Sequence, residues 1–97
     1  MSTRRLPVVV SSAVETSVGI AAGVALAAAL PELPFACGLG TVALLTHDVV
    51  KDPLVPVDGA LPVQRVEPDP ALLAKASADQ TMTAWWRDRA QRVAQLA

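Results

Sequence analysis

Apolar residues near the start of the chain fall into two short runs that do not alternate with polar residues. Pro7 precedes three valines at 8–10, and β-branched side chains favour a strand over a helix. An apolar strand without alternation is typical of one covered on both faces, as in parallel sheets. A second run, Phe35 to Gly38, leads into a glycine-containing turn and predicts a second short strand.

An Ala-rich segment between these two strands predicts a helix that ends near Leu30. Two starts are compatible with the sequence. Ser12 and Glu15 have the spacing of a capping box, which begins the helix at Ala13. Thr16 offers a start about one turn later.

The apolar residues at 42–50 predict a second, short helix, so that segment 7–52 follows the order β-α-β-α with parallel strands. The next segment, 53–70, is rich in proline, which excludes a helix and allows only short extended pieces such as 61–66.

The last segment, 71–97, predicts two helices. The first covers 71–78, with Asp69 as its N-cap and Pro70 at its first position. The second covers 83–96 and places apolar residues on one face at helical spacing: Trp86, Ala90, Val93 and Ala97.

Composition and charge narrow the class of protein. The chain is 53% hydrophobic and 18% charged, which excludes a disordered tail. Eight basic and nine acidic residues leave no field that would recruit nucleic acid or an anionic membrane, so neither is expected as a partner. A single cysteine, Cys37, cannot form an internal disulfide, and the simplest expectation is a cytoplasmic protein.

A secreted or membrane-anchored protein is a rival interpretation. The sequence Thr3-Arg4-Arg5 loosely imitates a twin-arginine signal, and Phe35-Ala36-Cys37 loosely imitates a lipid-attachment site. Pro7 and Glu15 interrupt the apolar region, however, and the uncharged run at 16–30 is shorter than the ~20 residues that span a bilayer. The pattern therefore favours a protein outside the membrane.

Isolated reactive side chains are better explained by packing and exposure than by chemistry. His47 has no second histidine or acid pair beside it to suggest a metal, and Cys37 lies in an apolar segment. The pair Trp85-Trp86 lacks the basic groove of a base-stacking surface.

The ends of the two predicted strands are the strongest candidate site. Parallel strands place Ser11 and Ser12 beside Gly38, Leu39 and the rest of the glycine turn at one rim, where α/β folds bind ligands. Serine hydroxyls, free backbone N–H groups and a helix N-terminus suit a carboxylate or phosphate. The alternative, that the serines only cap the helix and the glycines only turn the chain, is equally compatible with the pattern.

Three stretches carry a family resemblance: VVVSSAVETSVGI at 8–20, CGLGT at 37–41 and VDGALPVQRVEPDPALL at 57–73. Together they resemble the C-terminal part of o-succinylbenzoate synthase of the actinobacterial type, in the enolase superfamily. The resemblance implies an α/β fold: a β-α-β-α slice of a modified (β/α) barrel, followed by an extended tail that returns to a capping domain and by a C-terminal helix. Such a slice is incomplete on its own.

The resemblance also implies a chemistry. The family enzymes are lyases of menaquinone biosynthesis that dehydrate a succinyl-substituted hydroxycyclohexadiene carboxylate to 2-succinylbenzoate, using a lysine base and a magnesium ion held by three acids. Ser11 matches the family position that contacts the succinyl side of the substrate, and Gly38 the position that contacts it through the backbone. Ser12, Leu39 and Ile20 are neighbours that match less directly.

The family's catalytic lysines and metal-binding acids precede the region that this chain resembles. We therefore expect no catalytic residue and no magnesium ligand here, and no activity without an N-terminal portion. Residues 1–6 look like a replacement for the preceding helix, as in a truncated enzyme. The related N-acylamino acid racemase activity stays open, as does a non-catalytic interaction module that docks through its C-terminal Trp helix.

Overall fold

The computed structural model describes residues 6–96. Within this range it has three α-helices, α1 (Ser17–Ala29), α2 (Pro70–Ala76) and α3 (Gln80–Ala94), and one 3-10 turn at Val42–Leu44. The proposed replacement start at 1–6 and the Thr3-Arg4-Arg5 sequence lie almost entirely outside the described residues, as does Ala97.

Helix α1 uses the later of its two predicted starts. Thr16 is its N-cap, and the capping box predicted at Ser12 and Glu15 is wrong. Val14 has a φ of 63°, a left-handed conformation that interrupts the backbone between those two residues. The helix ends at Leu30, which is extended and precedes a proline, as predicted.

The two predicted strands are not seen among residues 6–96. They are reduced to a single parallel bridge between Ser11 and Gly38. Two backbone hydrogen bonds form it: the Gly38 N–H donates to Val10 O and the Ser12 N–H to Gly38 O, both at 2.9 Å. A regular parallel sheet is normally covered on both faces and extends over several strands, and this chain brings only two segments together.

The predicted helix at 42–50 is also wrong beyond its first turn. Leu45 is already extended, and the side chain of Asp48 accepts a hydrogen bond from the Val49 N–H at 2.7 Å, which competes with a helical bond. Proline-rich segment 53–70 contains no helix before Pro70, as predicted, and no strand at 61–66.

A tight turn interrupts the proline-rich segment. Val57 and Ala60 exchange two backbone hydrogen bonds of 3.0 Å around Asp58 and Gly59. Both central residues have positive φ, 51° and 75°, which is the conformation for which Asp-Gly is favoured in two-residue hairpins.

The C-terminal helices follow their capping residues. The Asp69 carboxylate accepts from the Leu72 N–H at 3.1 Å at the start of α2, which confirms the predicted cap. Helix α3 begins three residues earlier than predicted because Asp79 accepts from the Met82 N–H at 2.8 Å. Its predicted apolar face, including Trp86 and Val93, is exposed instead of packed.

The core is small and centres on one face of α1. Leu39 Cδ2 would lie 2.9 Å from a Cβ on Gly23, so this helix approaches the strand-end segment closely only because Gly23 has no side chain. Seven buried apolar residues form the cluster: Val10, Ile20, Val24, Ala27, Leu39, Val42 and Leu54.

The molecule is open for its size. Its radius of gyration is 16.6 Å, against about 13 Å for a compact domain of this length. Its accessible surface is 7875 Å², whereas a compact monomer of 10.1 kDa exposes about 5,300 Å². The excess surface includes many large apolar side chains, among them Val9, Leu26, Phe35, Trp85 and Trp86. The chain therefore exposes more surface than a compact domain of its mass, and large apolar side chains contribute to it.

Candidate functional site

The Ser11–Gly38 bridge sorts the side chains of the two strand ends onto opposite faces. Val10 and Leu39 point toward α1, because both reach the position where Gly23 would carry a Cβ. Since side chains alternate along extended backbone, Ser11 and Gly38 lie on the other face, and both are exposed. The structure thus brings two of the four predicted site residues, Ser11 and Gly38, together on the face away from α1.

Gly38 contributes space to this face. A Cβ at Gly38 would lie 3.2 Å from Ser11 Oγ, tighter than most real contacts. Its N–H donates to Val10 O, and its carbonyl accepts from both the N–H and the hydroxyl of Ser12. Both polar groups of Gly38 are therefore hydrogen-bonded within the chain. Gly38 offers a ligand space above its backbone and no free hydrogen-bonding group.

The two serines differ in how strongly their hydroxyl groups are held. Ser12 Oγ donates to Gly38 O at 3.0 Å and lies 2.8 Å from Thr41 Oγ1. Ser11 Oγ makes one long contact of 3.4 Å, with Ser12 O. A hydroxyl has only one proton, so Ser12 is committed to the chain whereas Ser11 is available to a ligand.

The turn after the bridge presents unengaged amides. The N–H groups of Leu39, Gly40 and Thr41 donate to no acceptor among residues 6–96. The Leu39 side chain is buried against α1, and the Leu39 N–H points away from Ser12, because the Gly38 carbonyl of the same trans peptide points toward Ser12. The consecutive N–H groups of Gly40 and Thr41 are suited to a carboxylate.

The N-terminus of α1 is already occupied by the chain's own carboxylates. Asp48 Oδ1 accepts from the Ser17 N–H at 3.0 Å, and Asp48 Oδ2 accepts from the Ser17 hydroxyl. Glu15 Oε2 lies 3.0 Å from the Cβ position of Gly19 in the first turn. Two negative charges complement the positive end of the helix and disfavour a third anion there. The helix N-terminus predicted as part of the cradle is therefore not open to a ligand.

Sequence reasoning missed Asp48 and Thr41. Each acts on a residue about thirty positions earlier: Asp48 on Ser17, and Thr41 on Ser12. No local spacing rule connects residues so far apart, because only the packing of the 37–54 region against α1 brings them into contact.

The other candidates take no part in this cluster. His47 is exposed and Cys37 is half-buried in the apolar segment. Nowhere between residues 6 and 96 do three or more His, Cys, Asp or Glu side chains group as a metal site requires. The described acids therefore do not fit a magnesium ion, and Asp48 is already hydrogen-bonded. No helix in the same range combines the length and the apolar character needed to cross a bilayer.

Comparisons with known proteins show that this chain is similar to part of several o-succinylbenzoate synthases. No family model matches the chain. It is 69% identical over 74 residues to o-succinylbenzoate synthase of Thermobifida fusca, covering 76% of this chain and 23% of that enzyme. It is 56% identical over 84 residues to the synthase of Mycobacterium ulcerans, which covers 87% of this chain and 25% of that enzyme. It is 55% identical over 84 residues to the synthase of Mycolicibacterium smegmatis, which covers 87% of this chain and 26% of that enzyme.

These matches confirm the resemblance as a match to part of the synthases, because the chain spans about a quarter of the length of the curated relatives. A match of 84 residues in a chain of 97 leaves out 13, so residues 14–84 lie inside it whichever end is omitted. Gly38, Thr41 and Asp48 thus belong to the matched region.

Proposed function

Because this chain matches about a quarter of the length of o-succinylbenzoate synthases, we propose that it supplies part of the substrate-binding rim of such a lyase. In this proposal segment 7–52 forms the last two β-α units of a modified (β/α) barrel of the enolase superfamily. Segment 53–70 returns toward a capping domain, and segment 71–97 carries the C-terminal helices. The reaction is the dehydration that yields 2-succinylbenzoate in menaquinone biosynthesis.

One observation carries the proposal: the parallel bridge between Ser11 and Gly38. Parallel pairing brings the carboxyl ends of both segments to one rim, which is where barrel enzymes bind their substrates. It also leaves the Ser11 hydroxyl and the space above Gly38 on the face away from α1.

The residues at this rim bind and orient, and they do not transfer protons. We assign the Ser11 hydroxyl and the turn amides at 40–41 to the succinyl carboxylate, with Gly38 making room for the chain of the substrate. Val9 shares the face of Ser11 and is half-exposed, so a barrel built around it would exclude water from the bound substrate.

The reacting groups must come from the remaining three quarters of a synthase, on whatever polypeptide carries them. The lysines that transfer protons and the acids that hold magnesium in such a lyase would both lie outside this chain, because its described acids do not fit that ion. The large apolar side chains that this chain exposes also support the proposal that the rest of the barrel comes from elsewhere, because a slice of a barrel exposes the side chains that its neighbouring elements would cover.

A reconstitution experiment tests the proposal. The chain is purified and mixed with a T. fusca synthase from which the matched quarter has been deleted, with Mg²⁺ and the hydroxycyclohexadiene carboxylate substrate. We expect the ultraviolet change of aromatisation only in the mixture. An N-acylamino acid offered to the same mixture tests the related racemase activity.

Two variants sharpen the result. Ser11→Ala should raise KM in the mixture, whereas Thr46→Val, at an exposed threonine that makes no contact with Ser11 or Gly38, should leave the kinetics unchanged. Activity of the chain alone would contradict the proposal. So would a mixture that forms a stable complex in gel filtration and stays inactive.

The exposed face of α3 favours a second candidate function, a non-catalytic interaction module. Trp85 and Trp86 are 51% and 55% exposed, and Met82, Val93 and Leu96 extend the same apolar side of the helix. Arg89 lies 5.9 Å from the centroid of the Trp85 ring, which adds a positive charge to this surface. An inactive complex that is lost on Trp86→Gln and kept on Ser11→Ala would support this module instead.

A further inference from the structure

Thr41 has an unusual position for a threonine at the start of a helical turn. It is the N-cap of the 3-10 turn at 42–44, yet its hydroxyl makes no capping hydrogen bond to that turn. The hydroxyl lies instead 2.8 Å from Ser12 Oγ, on the other strand end. The usual capping role therefore does not account for the direction of this side chain.

The hydrogen-bond directions around Ser12 can be assigned from its chemistry. Ser12 Oγ donates its single proton to Gly38 O, an acceptor that has no proton of its own. The bond between Ser12 Oγ and Thr41 Oγ1 must then be donated by Thr41. These three hydrogen bonds form a relay: Thr41 donates to the Ser12 hydroxyl, and Ser12 donates to the Gly38 carbonyl from both its hydroxyl and its N–H.

We propose that Thr41 is a positioning residue for the substrate rim: it fixes Ser12 and thereby the register of Ser11 against Gly38. This inference rests on the proposed function for its effect on substrate, and on the geometry alone for its effect on the bridge. The bridge has no neighbouring ladder bonds to support it, since only two backbone hydrogen bonds join the strand ends. The loss of one supporting hydroxyl should therefore loosen it measurably.

The effect of Thr41 on kinetics should fall on binding. Ser11 and the turn amides contact the substrate away from the proton-transfer groups, so a displaced rim weakens binding of the ground state and transition state alike. In the reconstituted mixture, Thr41→Val should raise KM about tenfold, the scale of one lost hydrogen bond, with kcat nearly unchanged. Thr41→Ser keeps the hydroxyl and should restore KM.

Two controls separate positioning from general damage to the fold. Thr46→Val makes the same chemical change at an exposed threonine and should alter nothing. In a Ser12→Ala background the relay no longer exists, so Thr41→Val should add little further loss. Additive losses in the double variant would overturn the proposal.

A second measurement does not depend on catalysis. Hydrogen exchange of the Ser12 and Gly38 amides, followed by NMR in the chain alone and in the mixture, reports the bridge directly. We expect slow exchange at both amides in at least one of these samples, faster exchange in Thr41→Val, and recovery in Thr41→Ser. Equal exchange in the Val and Ser variants, or no protection in the unsubstituted chain in either sample, would overturn the inference.

This pair of readouts distinguishes the two proposals. An inactive mixture with hydroxyl-dependent protection of Ser12 and Gly38 refutes the proposed function and retains the positioning role of Thr41 within the bridge. Restored activity with a KM that is unchanged by Thr41→Val supports the proposed function and refutes the positioning role of Thr41.

Discussion

Ser17 and Asp48 join the start of α1 to the region after the glycine turn through two hydrogen bonds. The Asp48 carboxylate accepts from the Ser17 N–H at 3.0 Å and from the Ser17 hydroxyl, whose oxygen accepts from the Leu54 N–H at 2.8 Å. Ser17 is fully buried, so every polar group it carries needs a partner. The pair thus does from a distance what a local N-cap side chain usually does, since Thr16 makes no capping bond.

Removing the Asp48 carboxylate should destabilise the fold. Asp48→Ala leaves the buried Ser17 hydroxyl and the Ser17 N–H without their acceptor, at a cost of about 2–3 kcal/mol for charge-assisted bonds that are part-buried. A lower urea midpoint of the reconstituted mixture, followed by circular dichroism, checks this. Asp52→Ala, at an exposed acid nearby, is the control, and equal shifts in both variants would contradict the assigned role.

The chain alone should lack a cooperative thermal transition. Its accessible surface exceeds that of a compact monomer, and ordering costs of about 1–2 kcal/mol per residue must be offset by buried apolar area. Mixing with the remainder of a synthase should produce a sharp transition in calorimetry and a blue shift in tryptophan fluorescence. A sharp, monomeric melt of the unmixed chain would refute this expectation.

The two serines should respond differently to substitution. Ser11→Ala removes a weakly held hydroxyl from the rim and should raise KM without altering the exchange of the Gly38 amide. Ser12→Ala removes the donor to Gly38 O and should accelerate that exchange as well. Identical amide exchange in the two variants would show that the division between a ligand-facing and a structural serine is wrong.

Gly38→Ala should damage the rim by crowding. The added methyl would meet Ser11 Oγ at 3.2 Å and push the hydroxyl from its position. We expect a raised KM, and in a Ser11→Gly background, which has no hydroxyl to displace, Gly38→Ala should raise KM little further. Additive increases in KM in the combined variant would argue against this steric cause.

Magnesium should bind only to the assembled enzyme. Residues 6–96 offer no group of three candidate ligands, so calorimetric titration of the chain with Mg²⁺ should give no binding heat beyond dilution. EDTA should abolish the activity of the mixture while leaving the complex intact in gel filtration. Stoichiometric binding of Mg²⁺ to the chain alone would contradict this assignment.

Local patterns in the sequence were sufficient for the start of α2 and for the end of α1. Asp69 followed by Pro70 predicts the start of α2, and the prolines that border α1 and fill 53–70 predict where helix is excluded. These signals work because capping and proline geometry act within one turn of the chain. The family resemblance also came from short stretches whose order and spacing can be read directly, and the matches to synthases confirm it.

The strands and the second helix depended on partners that no local pattern contains. A run of valines at 8–10 has the propensity for a strand, but regular sheet structure needs neighbours on both sides, and here only Ser11 and Gly38 meet. Similarly, segment 42–50 is mostly apolar, yet the Asp48 carboxylate accepts a hydrogen bond from the Val49 N–H and another from the Ser17 N–H at the start of α1.

The sequence by itself determined where α2 begins, where α1 ends, and that the chain resembles part of the synthases. Only the tertiary structure decided that the Ser11 hydroxyl is held more weakly than that of Ser12, that Asp48 binds the start of α1, and that Thr41 lies within hydrogen-bonding distance of Ser12. The reason is physical: propensity and capping act between near neighbours, whereas each of these contacts joins residues about thirty positions apart, and their pairing depends on how the whole chain packs.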